Sequence, residues 1–461
     1  MEKITQRKMV TIAMMASILL VALDTTIITT AMPRIVEQFG GLHLISWVFA
    51  IYLLTSSVTT PIYGKLADLF GRKSIFIFGV VLFTFGSAVS GMAQNMHQLI
   101  LFRGFQGLGA GAVTPLTFTI IGDLYTGEER ARMQGLFSSV WGIAGLLGPL
   151  VGGLFVDIIS WRWIFYINVP VGIAAILLVS GFLHETTIEK TKKYIDYWGT
   201  AFFTVSMSSL LFALISGGQS YPWNSAVIIL LFSVAVVFLI AFLIVESKVE
   251  EPLLPLKLFN IPVIAVSNAV GFVASVVLIG VSVYLPIWIQ TVLGHSATAS
   301  GLTLLPMSLA WTLAATLAGR FMYDIGSKTT AVFGAVLIMA GSAWLLFVNL
   351  ESPYWFLSGV MIVIGLGMGC SFTPLTVLIQ SAVGWNLRGA ATGSITFTRT
   401  LGQAVGIALL GTAFNNNLNQ GGIAQGVHVV FIVLFAASIA TLLISTILPS
   451  HNSVMTRGSE S

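Results

Sequence analysis

Asp24 sits in Leu23-Asp24-Thr25-Thr26-Ile27-Ile28, inside an apolar run from about Met9 to Ala31. That run is long enough for one helical membrane crossing. The other acids fall at predicted span ends, in loops or in tails. A carboxylate near mid-bilayer costs about 2.5–3.5 kcal/mol on insertion scales, so it faces protein or water and its default reading is functional. Its chemistry is to hold a proton or to meet a cation. Arg103 is a second costly charge, about one turn inside the predicted fourth span. Its long side chain has two destinations: Asp24, directly or through Gln106 and water, or the outer interface by snorkelling. Arg399 in the predicted thirteenth span has no acid partner identifiable from sequence, and faces either a carbonyl cluster or a cavity.

The elements that position these charges follow from composition. Hydrophobic residues make up 56% of the 461 residues and charged residues only 8%, too few to coat a soluble surface. The net charge of +4 is spread over many short loops, which excludes a nucleic-acid stripe. Six histidines near span ends or in loops lack metal-ligand spacing, so neither a metal centre nor a membrane enzyme is expected. No phosphate-cradling Gly-rich loop occurs, which argues against a nucleotide-driven pump. Cys370 is alone, so no internal disulfide forms.

Fourteen apolar segments recur, the first at about 9–32 and the last at about 427–448. Lys and Arg concentrate in alternate loops, among them Lys65, Arg72, Lys73, Arg130, Arg132 and Arg388, against only Arg34 and Arg162 on the other side. The positive-inside rule then puts both termini in the cytoplasm. The chain also repeats itself. Lys73–Ala88 reads KSIFIFGVVLFTFGSA and Lys328–Ala343 reads KTTAVFGAVLIMAGSA, an offset of 255 that also pairs Gly64 with Gly319 and Gly71 with Gly326. Further on the offset is 258, pairing Arg130 with Arg388 and Gly148 with Gly406. The expected organisation is an all-α membrane protein with a six-helix bundle at 1–185 and a connecting region at 186–259 that carries two inserted helices at 197–245. A second bundle at 260–450 and a cytoplasmic tail at 451–461 complete it. Six plus two is even, so the repeat is parallel, the architecture of alternating access around a mid-bilayer site.

These residues resemble the fourteen-span drug:proton antiporters of the major facilitator superfamily over nearly the whole chain. Leu23–Pro33 (LDTTIITTAMP) looks like the family's first-helix motif, and Gly64–Lys73 (GKLADLFGRK) closely matches the signature loop between helices two and three. Arg103–Gly107 (RGFQG) matches the fourth-helix motif, and Gly148, Pro149, Gly152 and Gly153 match the core of the fifth-helix antiporter motif. The longer pattern wants Gly where this chain has Ala144. Trp161–Pro170 (WRWIFYINVP) and Glu251–Phe259 (EPLLPLKLF) resemble segments of the fourteen-span branch.

The resemblance implies that Asp24 and Arg103 couple protons, and that Asp68, Arg72 and Asp123 latch the cytoplasmic side in the outward-open state. The second copy of the loop is degraded: Tyr323 takes the acid's place and Asp324 stands one residue later, so any lock there must pair differently. The fifth-helix glycines carve a groove for close helix approach. Gln106, Trp141, Tyr284 and Arg399 are the candidate cavity residues. The expected function is proton-coupled export of lipophilic, cationic toxic compounds by a monomer in the bacterial plasma membrane. Small-molecule drugs, protons and the bilayer are its partners, and it uses the proton gradient with no cofactor. The alternative is proton-coupled transport of one specific metabolite. The exchange scheme assumes a solitary acid that binds proton and cargo by turns.

Overall fold

In lipid the backbone has no hydrogen-bond partner but itself, so apolar runs of this length must cross as helices. The structure, a computed structural model, describes residues 2–40, 44–184, 196–218, 221–249, 252–253, 256–295, 297–384 and 387–449. Lys190, Lys192 and Lys193, the tail from 451 and parts of the Glu251–Phe259 segment lie outside these described residues. Helices α1 (Glu2–Phe39), α2 (Ile45–Phe70), α3 (Arg72–Gly91), α4 (Met96–Leu124) and α5 (Gly127–Leu154) come first. A π-helical turn, then α6 (Trp163–Tyr166) and α7 (Asn168–Phe182), follow. Next come α8 (Tyr197–Ser216) and α9 (Ala226–Glu246). The remainder is α10 (Pro262–Ile287), α11 (Ala297–Phe321), α12 (Ser327–Leu345), α13 (Tyr354–Ser381) and α14 (Arg388–Thr446). Eleven helical segments among the described residues are long and apolar enough to cross a membrane.

α14 covers the last two predicted spans, at about 389–412 and 427–448, with the Asn- and Gly-rich stretch 415–425 between them. Its backbone is helical across 59 residues, about 88 Å if straight at 1.5 Å per residue. It is not straight. Gly422 takes a left-handed φ of 72°, and a Cβ on Gly426 would touch Phe414, twelve positions back. The helix therefore folds back on itself near Gly422.

The pseudo-repeat is visible in the backbone. Gly71 and Gly326 both adopt left-handed φ (95° and 91°), just before α3 and α12. Gly79 meets Gly109 backbone to backbone, and Gly334 meets Gly367 in the same way. One apolar core joins α10 to α14, and two others join α1 to α7. α8 and α9 pack on each other, and α8 also leans on α2 and α14. There Phe203 sets its ring 5.4 Å from Phe397 and shares a core with Leu54 and Val58. The inserted pair thus covers a seam between the two sets of helices.

Candidate functional site

Arg103 and Gln106 stand one helical turn apart on α4, so both reach the same neighbour. That neighbour is Asp24 on α1. Arg103 Nη1 donates to Asp24 Oδ2 at 2.5 Å and to Gln106 Oε1 at 2.7 Å. Gln106 Nε2 donates to Asp24 Oδ1 at 2.8 Å, which closes a triangle. Asn168, opening α7, aims Nδ2 at Asp24 Oδ1 (3.4 Å) and at Ser87 Oγ (2.9 Å). From α2 the Tyr52 ring lies 4.2 Å from the guanidinium carbon of Arg103, a cation–π contact. Asp24 is 3% exposed and Arg103 1%. Arg103 therefore does not snorkel.

Nor is Asp24 solitary, as the exchange scheme assumes: a guanidinium neutralises it in this conformation. The three donors suit a carboxylate. Removing one partner of such a buried pair costs about 3–5 kcal/mol, because the other charge is left uncompensated. Asn168 lies inside the Trp161–Pro170 segment and Tyr52 in the second predicted span, where nothing local marks either. Only the meeting of α1, α2, α4 and α7 gives them a place beside the acid.

α5 supplies the close packing. A Cβ on Gly148 would strike Thr26, two residues past Asp24, and Thr26 Oγ1 donates to the Ala144 carbonyl at 3.1 Å. Gly142 and Gly145 instead face Ser308 and Thr312 on α11. The small-residue groove thus serves two neighbours, α1 and α11. Gly152 is buried. Pro149 and Gly153 lie in α5, with their side-chain positions outside the described residues.

Asp68, Arg72 and Asp123 come together at one end of the helices, with further partners. Arg72 pairs with Asp123 and stands 3.5 Å from Asp68. Asp68 also accepts the backbone N–H of Gly389 (3.2 Å) and of Ala390 (2.9 Å). These are orphan donors of the first turn of α14, where a negative charge is favoured. Arg388 Nη1 donates to Asp123 at 2.5 Å. Gln134 on α5 donates to Gln380 on α13 at 3.1 Å, beside the Phe118 carbonyl. Tyr323, in the degraded loop, donates to the Gly127 carbonyl at 2.6 Å. Burial pushes its phenol above the usual range, against the opposing charge of Arg130, so it stays a donor. Sequence reasoning missed Arg388, Gln134 and Gln380 as members. The Arg130–Arg388 repeat pairing was the one signal pointing at Arg388.

This pattern of paired helices bridged on one face matches a known architecture. The sequence profile of the Major Facilitator Superfamily fits residues 14–198 and 192–407. The chain belongs to that superfamily. It is 39% identical over 394 residues to the multidrug transporter protein MdtP of Bacillus subtilis, covering 86% of this chain and 73% of that one. It is 37% identical over 417 residues to multidrug resistance protein 3 of Bacillus subtilis, covering 90% and 81%. Among solved structures, the human organic anion transporter MFSD10 superposes with a TM-score of 0.72 at 12% identity, covering 95% of this chain and 99% of that one. The proton:xylose symporter XylE gives a TM-score of 0.70 at 15% identity, covering 97% and 96%. At those identities the likeness carries the fold. The superfamily is one of transporters, not enzymes, and its members sit in membranes as multi-pass helical proteins.

The four candidate cavity residues do not form one wall. Gln106 is spent in the Asp24 triangle. Tyr284 is buried against Phe414, 5.4 Å between rings. Trp141 is 37% exposed on α5. Arg399 is held on α13 through the Phe372 carbonyl and Thr376 Oγ1, both at 3.1 Å. A cleft of about 330 Å³ lies elsewhere, between α2 and α8, lined by residues that include Lys65, Asp196 and Tyr197. It is remote from the Asp24 triangle in the fold.

Proposed function

We propose that this superfamily member is a proton-coupled multidrug antiporter that exports lipophilic, chiefly cationic compounds by alternating access. The observation that carries the reading is the buried Asp24–Arg103–Gln106 triangle, an ionisable pair that nothing in a purely structural membrane helix requires. The names of the curated relatives support drug export over a single metabolite.

The reading includes fourteen crossings, with both termini cytoplasmic, in a bacterial plasma membrane. It divides the chain into bundles at 1–185 and 260–450, an inserted pair within 186–259 and a tail at 451–461. Eleven segments qualify by apolarity; α2, α5 and the first arm of α14 complete the set. Those three pack across the seam between halves, α2 on α14 and α5 on α11. Helices shielded from lipid need less apolar surface. The working unit is a monomer driven by the proton gradient, with no cofactor.

In the mechanism, the cytoplasmic bridges through Asp68, Asp123 and Arg388 hold an outward-facing state. There Arg103 occupies Asp24 as an internal cation. A proton arriving on Asp24 releases Arg103, and α1 must then shift against α4 or admit water to settle the freed guanidinium. A cationic substrate competes with that proton for the same oxygens. One proton exchanged for one monovalent cation moves no net charge, so only the pH gradient contributes, about 1.4 kcal/mol per unit. The test is ethidium uptake into everted vesicles. Uptake should follow an imposed pH gradient and ignore an imposed potential. Strong potential-driven uptake would rule out one-for-one exchange, and uptake indifferent to both gradients would end the antiport reading.

A further inference from the structure

Arg399 carries the membrane-embedded charge that the proton-coupling cluster leaves unused. No Asp or Glu occurs in α10, α11, α12, α13 or α14, and no described carboxylate lies within ion-pair distance of it. Its Nη2 is fixed by the Phe372 carbonyl and Thr376 Oγ1, and its guanidinium carbon stands 4.3 Å from the centre of the Phe372 ring. Nε is buried without a hydrogen-bond partner, and Nη1 makes none to the described residues. The side chain is nevertheless partly accessible in mid-helix.

A further unmet donor, on another residue, stands at the same ring. Trp311 on α11 meets Phe372 edge-on at 5.5 Å, and its buried Nε1 has no partner. Buried donors left unpaired cost about 1–3 kcal/mol each, and more when charged. The cation and these idle donors around one aromatic ring, with no described carboxylate within ion-pair distance, define a place that lacks a negative acceptor. Contrast Arg103, whose guanidinium has its carboxylate supplied by α1.

We infer that Arg399, with Trp311 and the Phe372 ring, forms a subsite for the carboxylate of an aromatic substrate, so that zwitterionic aromatic compounds belong to the cargo. This rests on the drug-export reading and sharpens it: the cationic end is served by the half that carries Asp24, the acidic end by the half that carries Arg399. Arg399 would then read an acid against its ester, since an ester keeps the ring system but loses the charge that a guanidinium rewards.

The experiment uses the purified full-length protein in detergent with two dyes that differ in one group: rhodamine B, a zwitterion, and its ethyl ester, a cation. Binding is followed by fluorescence polarisation for wild type, Arg399→Gln, Arg399→Lys and Trp311→Phe, with thermal unfolding recorded for each. Arg399→Gln should weaken rhodamine B about tenfold and leave the ester within about twofold. Arg399→Lys, which keeps the charge, should recover part of the loss. Trp311→Phe should weaken rhodamine B by a smaller factor. Equal weakening of both dyes, or a change only in unfolding temperature, would show a structural arginine and overturn the inference. Wild type that binds the ester but not rhodamine B would also overturn it while leaving drug export standing. If neither dye binds, the inference and the multidrug reading fall together.

Discussion

The two halves share a backbone pattern and differ in what they do with charge. In the first, Asp24 and Arg103 form a neutral pair inside the membrane, and Asp68, Arg72 and Asp123 form a partly buried cluster at the end of α2 and α4. In the second, aligning Pro33 with Pro286 puts Val277 opposite Asp24, and Val277 is fully buried in the apolar core. Arg399 has no acid partner among the described residues, and the matching loop bridges through the neutral phenol of Tyr323. The glycine contacts survived in both, Gly79 on Gly109 and Gly334 on Gly367. Packing constrains each half equally, because two helices must approach in each. Charge does not: each additional buried charge costs several kcal/mol, so nothing favours repeating it in the second half.

The largest break in that comparison should come at the pair itself. Asp24→Asn is expected to reduce pH-driven ethidium uptake to the level of empty vesicles, while detergent-solubilised protein still elutes as one peak. Retained uptake would take Asp24 out of the mechanism. Arg103→Ala leaves a carboxylate buried beside Gln106 and should destabilise by about 3–5 kcal/mol, read as a lowered unfolding midpoint. Combining it with Asp24→Asn should restore much of that stability, and no restoration would mean that the two do not act as a pair.

Gly148→Val comes next. Its side chain would collide with Thr26, and overpacking of this kind costs about 1–3 kcal/mol. The transport rate should fall while dye binding persists. An unaffected rate would show that α5 need not hold α1 closely.

The cytoplasmic bridges should give a moderate effect. Asp68→Asn removes the charge that the first turn of α14 meets, worth about 1–2 kcal/mol in partly buried geometry. The population should move about tenfold toward the inward-facing form, measured by spin-label distances between the cytoplasmic ends of α2 and α14. An unchanged distance distribution would reduce the cluster to a topology signal. Tyr323→Phe should give the smallest shift, since one neutral hydrogen bond is worth about 0.5–1.5 kcal/mol. If it exceeds Asp68→Asn, the second half carries the stronger lock and the asymmetry runs the other way.

Much of the site was legible because intramembrane charge is expensive enough to mark itself. Asp24 and Arg103 stood out by burial cost alone, and the spacing of Arg103 and Gln106 put both on one face of α4. Arg388 was not legible as a latch residue. In sequence it is one more cytoplasmic cation, and it becomes a latch only where α14 begins against Asp123. Asn168 and Tyr52 were unreadable for the same reason, since an ordinary Asn or Tyr gains meaning only from what faces it. The hairpin in α14 was legible in outline, because Asn and Gly at 415–425 read as a loop between two spans; the structure adds that helical backbone continues up to the left-handed turn at Gly422. Trp141 and Tyr284 show the opposite failure. Aromatic residues in spans pack or face lipid as readily as they line a path.

Composition and periodicity by themselves determined that this chain is a helical membrane protein, because unpaired backbone cannot exist in hydrocarbon. The fixed offsets determined that it was built twice, and the placement of Asp24 determined where a charge must be managed. Only the tertiary structure decided that the acid has a guanidinium for company, that the first turn of α14 closes on Asp68, and that no described acid reaches Arg399. Pairing is a property of distance between helices, and distances between helices far apart in sequence are set by packing that no local pattern encodes.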